Sequence, residues 1–363
     1  MFLMKKFISA FCSLILIISG TLLNGCANSK YSRTFYYFNN TPIDIVIYGK
    51  DFDEELENQI EKTLSDLDSD FSISNENSLI NAINSQDFSS QTLVDEYAEI
   101  FSKCKTLYSF TGGKFNPAVY PLVKLWQFSP SFPVNDFTPP KQDVIDEVLN
   151  SNIVDFDNFK LNDDNSLTKL NPYSSIDLGG IIKGYGADKI ADVLTSYGIE
   201  KGYVNVGSSS IKTIKIGSLA IRHPENTSQN IVKINLDSNS DFSISTSGDY
   251  ERFYEFDGIR YSHIIDSETG KPNQNGIISA TIITSHGIDA DALSTALCLC
   301  DFDDSQSTDE LRTFITALLS NPDYQNAKIY AIYNKNGKKY LITNQKQGKN
   351  FTLLDDSYLV FNF

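Results

Sequence analysis

Asp291 and Thr295 stand four residues apart within residues 289–297, DADALSTAL, where Ala292, Leu293, Ala296 and Leu297 recur with helical spacing. On a helix their oxygens project from one face, one turn apart, and two hard oxygens so placed can hold a hard cation. A solvated carboxylate beside a packed hydroxyl has the same spacing. A second stretch, residues 176–188 (IDLGGIIKGYGAD), reads as a strand ending at Ile176-Asp177-Leu178, a Gly179-Gly180 turn, and a helix over 182–197 stopped by Gly198. That order points free backbone N–H groups and a helix dipole at a phosphate, although a plain tight connection reads the same way. It is neither a P-loop nor GxGxxG. His263, in YSHIID, is either a structural hydrogen-bonder in a strand or a proton carrier. Thr246-Ser247-Gly248 reads as a turn after a strand over 242–245, with Gly248 allowing close backbone approach. His223 and His286 read as structural.

The elements that must position these residues follow from periodicity. A strand is expected over 43–48, and Leu56, Ile60, Leu64, Leu67 and Phe71 form one helical stripe over 54–71. A second amphipathic helix carries Leu93, Tyr97, Ile100, Phe101, Cys104 and Tyr108 and ends at Gly112-Gly113. The only tryptophan, Trp126, precedes a Pro-rich loop over 130–140, then a helix near 141–150 with Thr138 as its cap and Pro139 at its first position. Strands are expected over 203–206, 213–222, 231–236, 242–245 and 279–284, a helix over 308–320, and a hairpin of 328–333 with 338–343. The mixture is α+β, without internal repeats.

Composition sets the setting. Lys5 and Lys6 precede an uncharged apolar run over 7–23, and Leu23-Asn24-Gly25-Cys26 closes it, the flanks of an export signal. Leu-x-Gly-Cys resembles a bacterial lipobox, which implies a signal peptide over 1–25, a lipid on Cys26 and a polar tether over 26–34. The mature chain then has 338 residues and, with the two lysines of the signal gone, a net charge of −18 instead of −16. So negative a chain does not suit nucleic acid or anionic lipid as partners. It suits an extracytoplasmic protein held at the cell membrane by its lipid. Cys104, Cys298 and Cys300 are too few for a disulfide framework and read as buried thiols.

Four segments, in order, resemble the ApbE family of FAD:protein FMN transferases: residues 112–128 (GGKFNPAVYPLVKLWQF), 176–207 (opening IDLGGIIKGYGAD), 245–272 (opening STSGDYERFY) and 289–297. The resemblance implies an α+β fold, a single large ApbE-like, T-fold-like catalytic domain over 35–363 that is open to division into two lobes. It implies an enzyme that uses Mg2+ to cleave FAD and transfers FMN, through its phosphate, to a Thr or Ser hydroxyl of a partner protein, releasing AMP. A membrane redox subunit is the kind of acceptor expected. By the family's pattern Asp291, Thr295 and the Gly180 carbonyl hold the Mg2+. Asp177, Lys183, Ile265, Lys114, Phe115, Asn116, Thr246, Ser247 and Gly248 fall at nucleotide-contact positions. His263, with Asp291, carries the chemistry by deprotonating the acceptor hydroxyl or orienting the diphosphate. Several positions depart from the pattern. Ser294 stands where some members have Asp, Asn116 where many have Asp, and Asn39-Asn40-Thr41 where Met-Gly-Thr is usual. Ser74 occupies the place of a stacking aromatic, and Gly207-Ser208-Ser209 that of a Gly-Gly pair. Two other readings share these residues: an Mg2+-dependent FAD pyrophosphatase giving FMN and AMP, and a lipoprotein that binds flavin without chemistry.

Overall fold

The computed structural model describes residues 29–130 and 132–363. The helices are α1 (Glu54–Phe71), α2 (Leu79–Asn84), α3 (Asp95–Phe110), α4 (Tyr120–Leu125), α5 (Gln142–Asn150), α6 (Ile182–Ser196), α7 (Gly287–Cys298) and α8 (Glu310–Ser320). Nine strands form one sheet in which spatial order follows chain order: Lys30–Tyr37, Thr41–Tyr48, Gly202–Val206, Ser210–Ile214, Phe242–Gly248, Ile277–Thr284, Lys328–Lys335, Lys338–Thr343 and Leu359–Asn362. Neighbours are antiparallel except the last pair, which is parallel. The architecture is α+β, with helices on one face of a largely antiparallel sheet.

The sheet buries both faces. On one, the α1 stripe of Leu56, Ile60 and Leu64 meets Ile43, Ile45 and Ile47 of the second strand and Ala187, Ile190 and Leu194 of α6. The Asp53 side chain starts α1 by accepting from the Leu56 N–H at 2.9 Å, and Glu54, Glu55 and Glu57 sit in the first turn, where the helix dipole favours them. Farther along the same face lies α7, whose residues are buried on nearly every side. Such a helix belongs to the middle of a structure. On the opposite face Ile244, Ile283, Tyr330, Ile332 and Leu341 pack against a small sheet of Ser218–Arg222, Asn230–Asn235 and Phe351–Leu353. A separate aromatic lobe joins Trp126, Phe128, Ile145, Val154, Tyr254 and Ile265.

Several local expectations are corrected. Residues 30–34, read as part of a tether, belong to the edge strand Lys30–Tyr37, paired in register from Lys30↔Tyr48 to Tyr37↔Thr41. The strand is amphipathic, with Tyr31, Phe35 and Tyr37 on the core side, and its polar outer residues made it look like linker. Residues 213–222 are two strands of different sheets, because Lys215 takes φ 51° and its N–H is bound by Asp241 at 2.9 Å. The helix near 141–150 begins at Gln142 with Lys141 as its cap, not at Pro139 after Thr138. Residues 176–178 form no strand; the Asn84 side chain bonds both the N–H and the carbonyl of Ile176, at 2.7 and 2.8 Å, in place of a neighbouring strand. Thr246, Ser247 and Gly248 are not a turn but the end of the strand Phe242–Gly248. Cys104, Cys298 and Cys300 are free and buried, and among the described residues no helix is long and apolar enough to cross a membrane.

Candidate active site

The site is built where α6 crosses α7. The crossing is close because both contact residues are glycine: a Cβ on Gly184 would lie 2.5 Å from the carbonyl carbon of Gly287, and one on Gly287 would lie 2.8 Å from the Gly184 Cα. Asp188 of α6 binds the Gly287 N–H through Oδ2 at 2.5 Å, and its Oδ1 accepts from the Ser243 hydroxyl at 2.7 Å. Lys212 completes that support, 3.2 Å from Asp188. One helix therefore fixes the start of the next, and so the height at which Asp291 enters.

Asp291 is buried, and each carboxylate oxygen has a partner: Oδ2 accepts from the Gly184 N–H at 2.7 Å and Oδ1 from the Ser210 hydroxyl at 2.8 Å. The first turn of α6, expected to face a phosphate, thus gives the Gly184 N–H to a carboxylate of the chain itself. Thr295 lies one turn on, its hydroxyl 3.1 Å from Ser247 Oγ; Ser247 Oγ is 2.9 Å from Ser294 Oγ. Gly180 closes the group, since a Cβ there would stand 3.2 Å from the Phe115 ring and 3.9 Å from Thr295 Oγ1. Asp291, Thr295 and the Gly180 turn are therefore neighbours, as the sequence reading required. Serines 243, 245 and 247 alternate along one strand and so share a face toward the helices, and Ser245 Oγ is buried without a hydrogen-bond partner.

The donor set suits a hard divalent cation. It consists of the Asp291 carboxylate and the hydroxyls of Thr295, Ser294 and Ser247, oxygen ligands of the types Mg2+ takes, with the Gly180 turn beside Thr295. Among the described residues no three His, Cys, Asp or Glu side chains converge. Burial pushes the Asp291 carboxyl above the usual carboxylate range, against Lys183, the Gly184 N–H and Ser210, which favour its charge. No cation stands within 4 Å of it among the described ion pairs, which leaves a buried charge short of compensation.

Around this group lie the remaining charges. Burial raises the Asp177 carboxyl, against the Gly179 N–H at 2.8 Å, Arg252 and Lys183. His263 is half-buried at the end of the strand Ile259–Ser262, its N–H on the Arg252 carbonyl at 3.0 Å and its Nδ1 3.2 Å from the same oxygen. A carbonyl only accepts, so Nδ1 carries the proton and Nε2 keeps its lone pair. Burial first, then Arg252 and Lys183, push the imidazole pKa down to about 3, so the ring is neutral at physiological pH. Lys183 acts on Asp177, His263 and Asp291 alike, and its chain passes 3.7 Å from the Cβ position of Gly207.

The other expected contact residues divide. Phe115 is in the site, against Gly180. Asn116 is held at both ends, Oδ1 accepting from the Ala118 N–H at 2.9 Å and Nδ2 donating to the Val154 carbonyl at 2.7 Å. Lys114 is 2.8 Å from Glu310 and 3.2 Å from the Leu299 carbonyl. Both line a cleft of about 270 Å³ with Gly113, Asp155, Asp266 and Ser267, which contains neither Lys183 nor Asp291. Ile265 is packed in the aromatic lobe. Thr246 Oγ1 is 2.8 Å from Thr281 Oγ1 across the sheet, and Gly248 leaves room for the Tyr250 ring. His223 is structural, 3.0 Å from Asp355. Cys26 lies outside the described residues.

The ApbE family profile matches residues 40–319, well over half the chain. The chain belongs to the ApbE family. An FAD:protein FMN transferase of Vibrio cholerae is 31% identical over 252 residues, 67% of this chain and 72% of its own. The FAD:protein FMN transferase of Treponema pallidum is 32% identical over 278 residues, 69% and 73% of the two chains. The ApbE protein of Thermotoga maritima superposes with a TM-score of 0.71 at 26% identity, covering 84% of this chain and 94% of that one. Flavin transferase ApbE of Vibrio cholerae superposes at 0.72 and 24% identity, covering 86% and 97%, a likeness of fold. Membership places this ApbE protein among the transferases. Sequence reasoning overlooked Ser210, Asp188 and Arg252. The alternation of serines over 243–247 was a legible signal of a polar strand face; nothing local marked the other three.

Proposed function

We propose that the protein transfers FMN from FAD to a Thr or Ser hydroxyl of a partner protein, with Mg2+, releasing AMP. The observation that carries this is the gathering of Asp291, Thr295 and the Gly180 turn at one helix crossing, with Lys183 of the same helix acting on both Asp291 and the neutral His263. Asp291, Thr295 and the Gly180 carbonyl would hold the Mg2+, which when bound offsets phosphate charge and steadies displacement at phosphorus. The chain's own groups do the rest. Lys183 offers the diphosphate a local cation that the acidic chain as a whole does not. His263 Nε2 takes the proton of the acceptor hydroxyl as its oxygen bonds to the phosphorus on the FMN side. The bond from that phosphorus to the bridging oxygen breaks, and its electron pair leaves with AMP. The diphosphate neutralises Arg252 and Lys183, the two cations that add to the lowering by burial, and so makes the imidazole a stronger base than it is without substrate, while burial still holds it below the ordinary histidine value.

We further infer that the enzyme is a lipoprotein, exported and held at the membrane through Cys26, so that its acceptor is a membrane or extracytoplasmic protein. Incubation with FAD and Mg2+, with and without an acceptor peptide bearing Thr or Ser, tests the reading. FMN on the peptide together with AMP supports it. Free FMN without peptide assigns hydrolysis instead, and intact FAD in both arms refutes catalysis.

A further inference from the structure

We propose that Arg252 is a second phosphate-binding residue of this site, gripping the phosphoryl group that the acceptor hydroxyl attacks. The proposal rests on the flavin-transfer reading and extends it to a residue outside the contact positions discussed so far. The Arg252 side chain is tied to Phe128, whose ring stands 6.3 Å from the His263 ring, and its charge acts on both His263 and Asp177. One N–H donates to the Phe128 carbonyl at 2.5 Å, and the Phe132 ring lies under the guanidinium at 4.8 Å. Those contacts aim the side chain and use one of its five donors. Among the described residues it has no carboxylate within 4 Å, and neither has Lys183, whereas Arg33, Arg222, Arg260 and Arg312 are all paired. In a chain with 46 acidic and 30 basic residues, a guanidinium that keeps four donors free of any carboxylate while it is held in place beside the base is available to an incoming anion.

The position selects which phosphate. The Arg252 carbonyl holds His263 Nδ1 and the His263 N–H, so one residue fixes the base through its main chain and presents a planar fork beside it. That fork matches two oxygens of one phosphoryl group. The group nearest the base is the one under attack, the phosphate of the FMN half. Because His263 is held by main-chain atoms, Arg252→Ala leaves its tautomer in place and removes only the guanidinium.

The test compares FAD, FMN and riboflavin binding by flavin fluorescence for wild type, Arg252→Ala and Arg252→Lys. Loss of a charge-assisted contact weakens FAD and FMN binding by roughly 10–100-fold. Riboflavin, which lacks the phosphate, binds as before. Arg252→Lys restores part of the FAD affinity, as a charge without the fork. Steady-state AMP release shows a lower kcat as well as a higher KM, because the phosphoryl oxygens gain charge in the transition state. Equal weakening of all three ligands, or of none, overturns the proposal. So does a wild type that binds FMN no better than riboflavin, whatever its turnover. A wild type that binds FAD and FMN but releases no AMP refutes flavin transfer alone, and the three-ligand comparison still decides on Arg252.

Discussion

Replacing Gly184 by alanine adds one methyl group at the contact on which the site depends. That carbon would stand 2.5 Å from the Gly287 carbonyl carbon and nearer still to its oxygen. Both are main-chain atoms at the start of α7, held by Asp188, so no side chain can swing aside. Ordinary contact for a Cβ begins at 3.4 Å and the Gly287 oxygen would stand nearest, so the two backbones must part by more than about 1 Å to reach it. The same movement lengthens the bond from the Gly184 N–H to Asp291 Oδ2, now 2.7 Å, beyond hydrogen-bonding range. It also carries Thr295 away from the Gly180 turn. Overpacking costs about 1–3 kcal/mol, and alanine in place of glycine within a helix returns up to about 1 kcal/mol. The net loss of about 1–2 kcal/mol lowers the melting temperature by several degrees. The functional loss is larger, because a misplacement of about 1 Å costs on the order of 100-fold in rate. Thermal denaturation and AMP release from FAD, measured on Gly184→Ala and on Gly287→Ala, give the two numbers separately. A variant with wild-type turnover and an unchanged melting temperature would show that the crossing is not what sets Asp291.

Asp291→Asn keeps the shape and removes the charge; it abolishes turnover and the rise in melting temperature that Mg2+ gives the wild type. Burial raises the folded-state pKa of Asp291, so its stabilising share is present at low pH and is lost as pH rises through that raised value. Metal-free Asp291→Asn therefore melts no lower than wild type at neutral pH and lacks this component of the acid-side gain, as pH-dependent melting curves will show. His263→Ala lowers the rate by about 10²–10⁴-fold if it is the base, and a near-normal rate across pH would leave it a structural role. Asp188→Ala removes the bond to the Gly287 N–H and the ion pair to Lys212, which keeps its bonds to Ser243 and the Ser285 carbonyl; it costs about 1–2 kcal/mol, read by urea denaturation, and lowers turnover in parallel. Unchanged stability would detach Asp188 from the positioning of α7.

Local chemistry made much of this molecule legible from its sequence. The α1 stripe, the helix carrying Asp291 and Thr295, the buried thiols and the hairpin turned by Asn336 and Gly337 all follow from periods and turn preferences that act over a few residues. Membership in the ApbE family was legible for the related reason that several motifs keep their order. Register and approach distance were not. Whether Asp291 meets a phosphate, a metal or the Gly184 N–H depends on a helix crossing between residues 107 apart, and the distance is set by two glycines that show no pattern along the chain. Ser210 reaches Asp291 only because its strand lies beside Phe242–Gly248 in a particular register. Arg252 comes to His263 through the antiparallel pairing of Phe253–Phe256 with Ile259–Ser262. Sequence determines which side chains exist and which face of a local element they occupy. Burial, and the loss of solvent screening that comes with it, decides which charges feel one another, and burial exists only once the layers have closed.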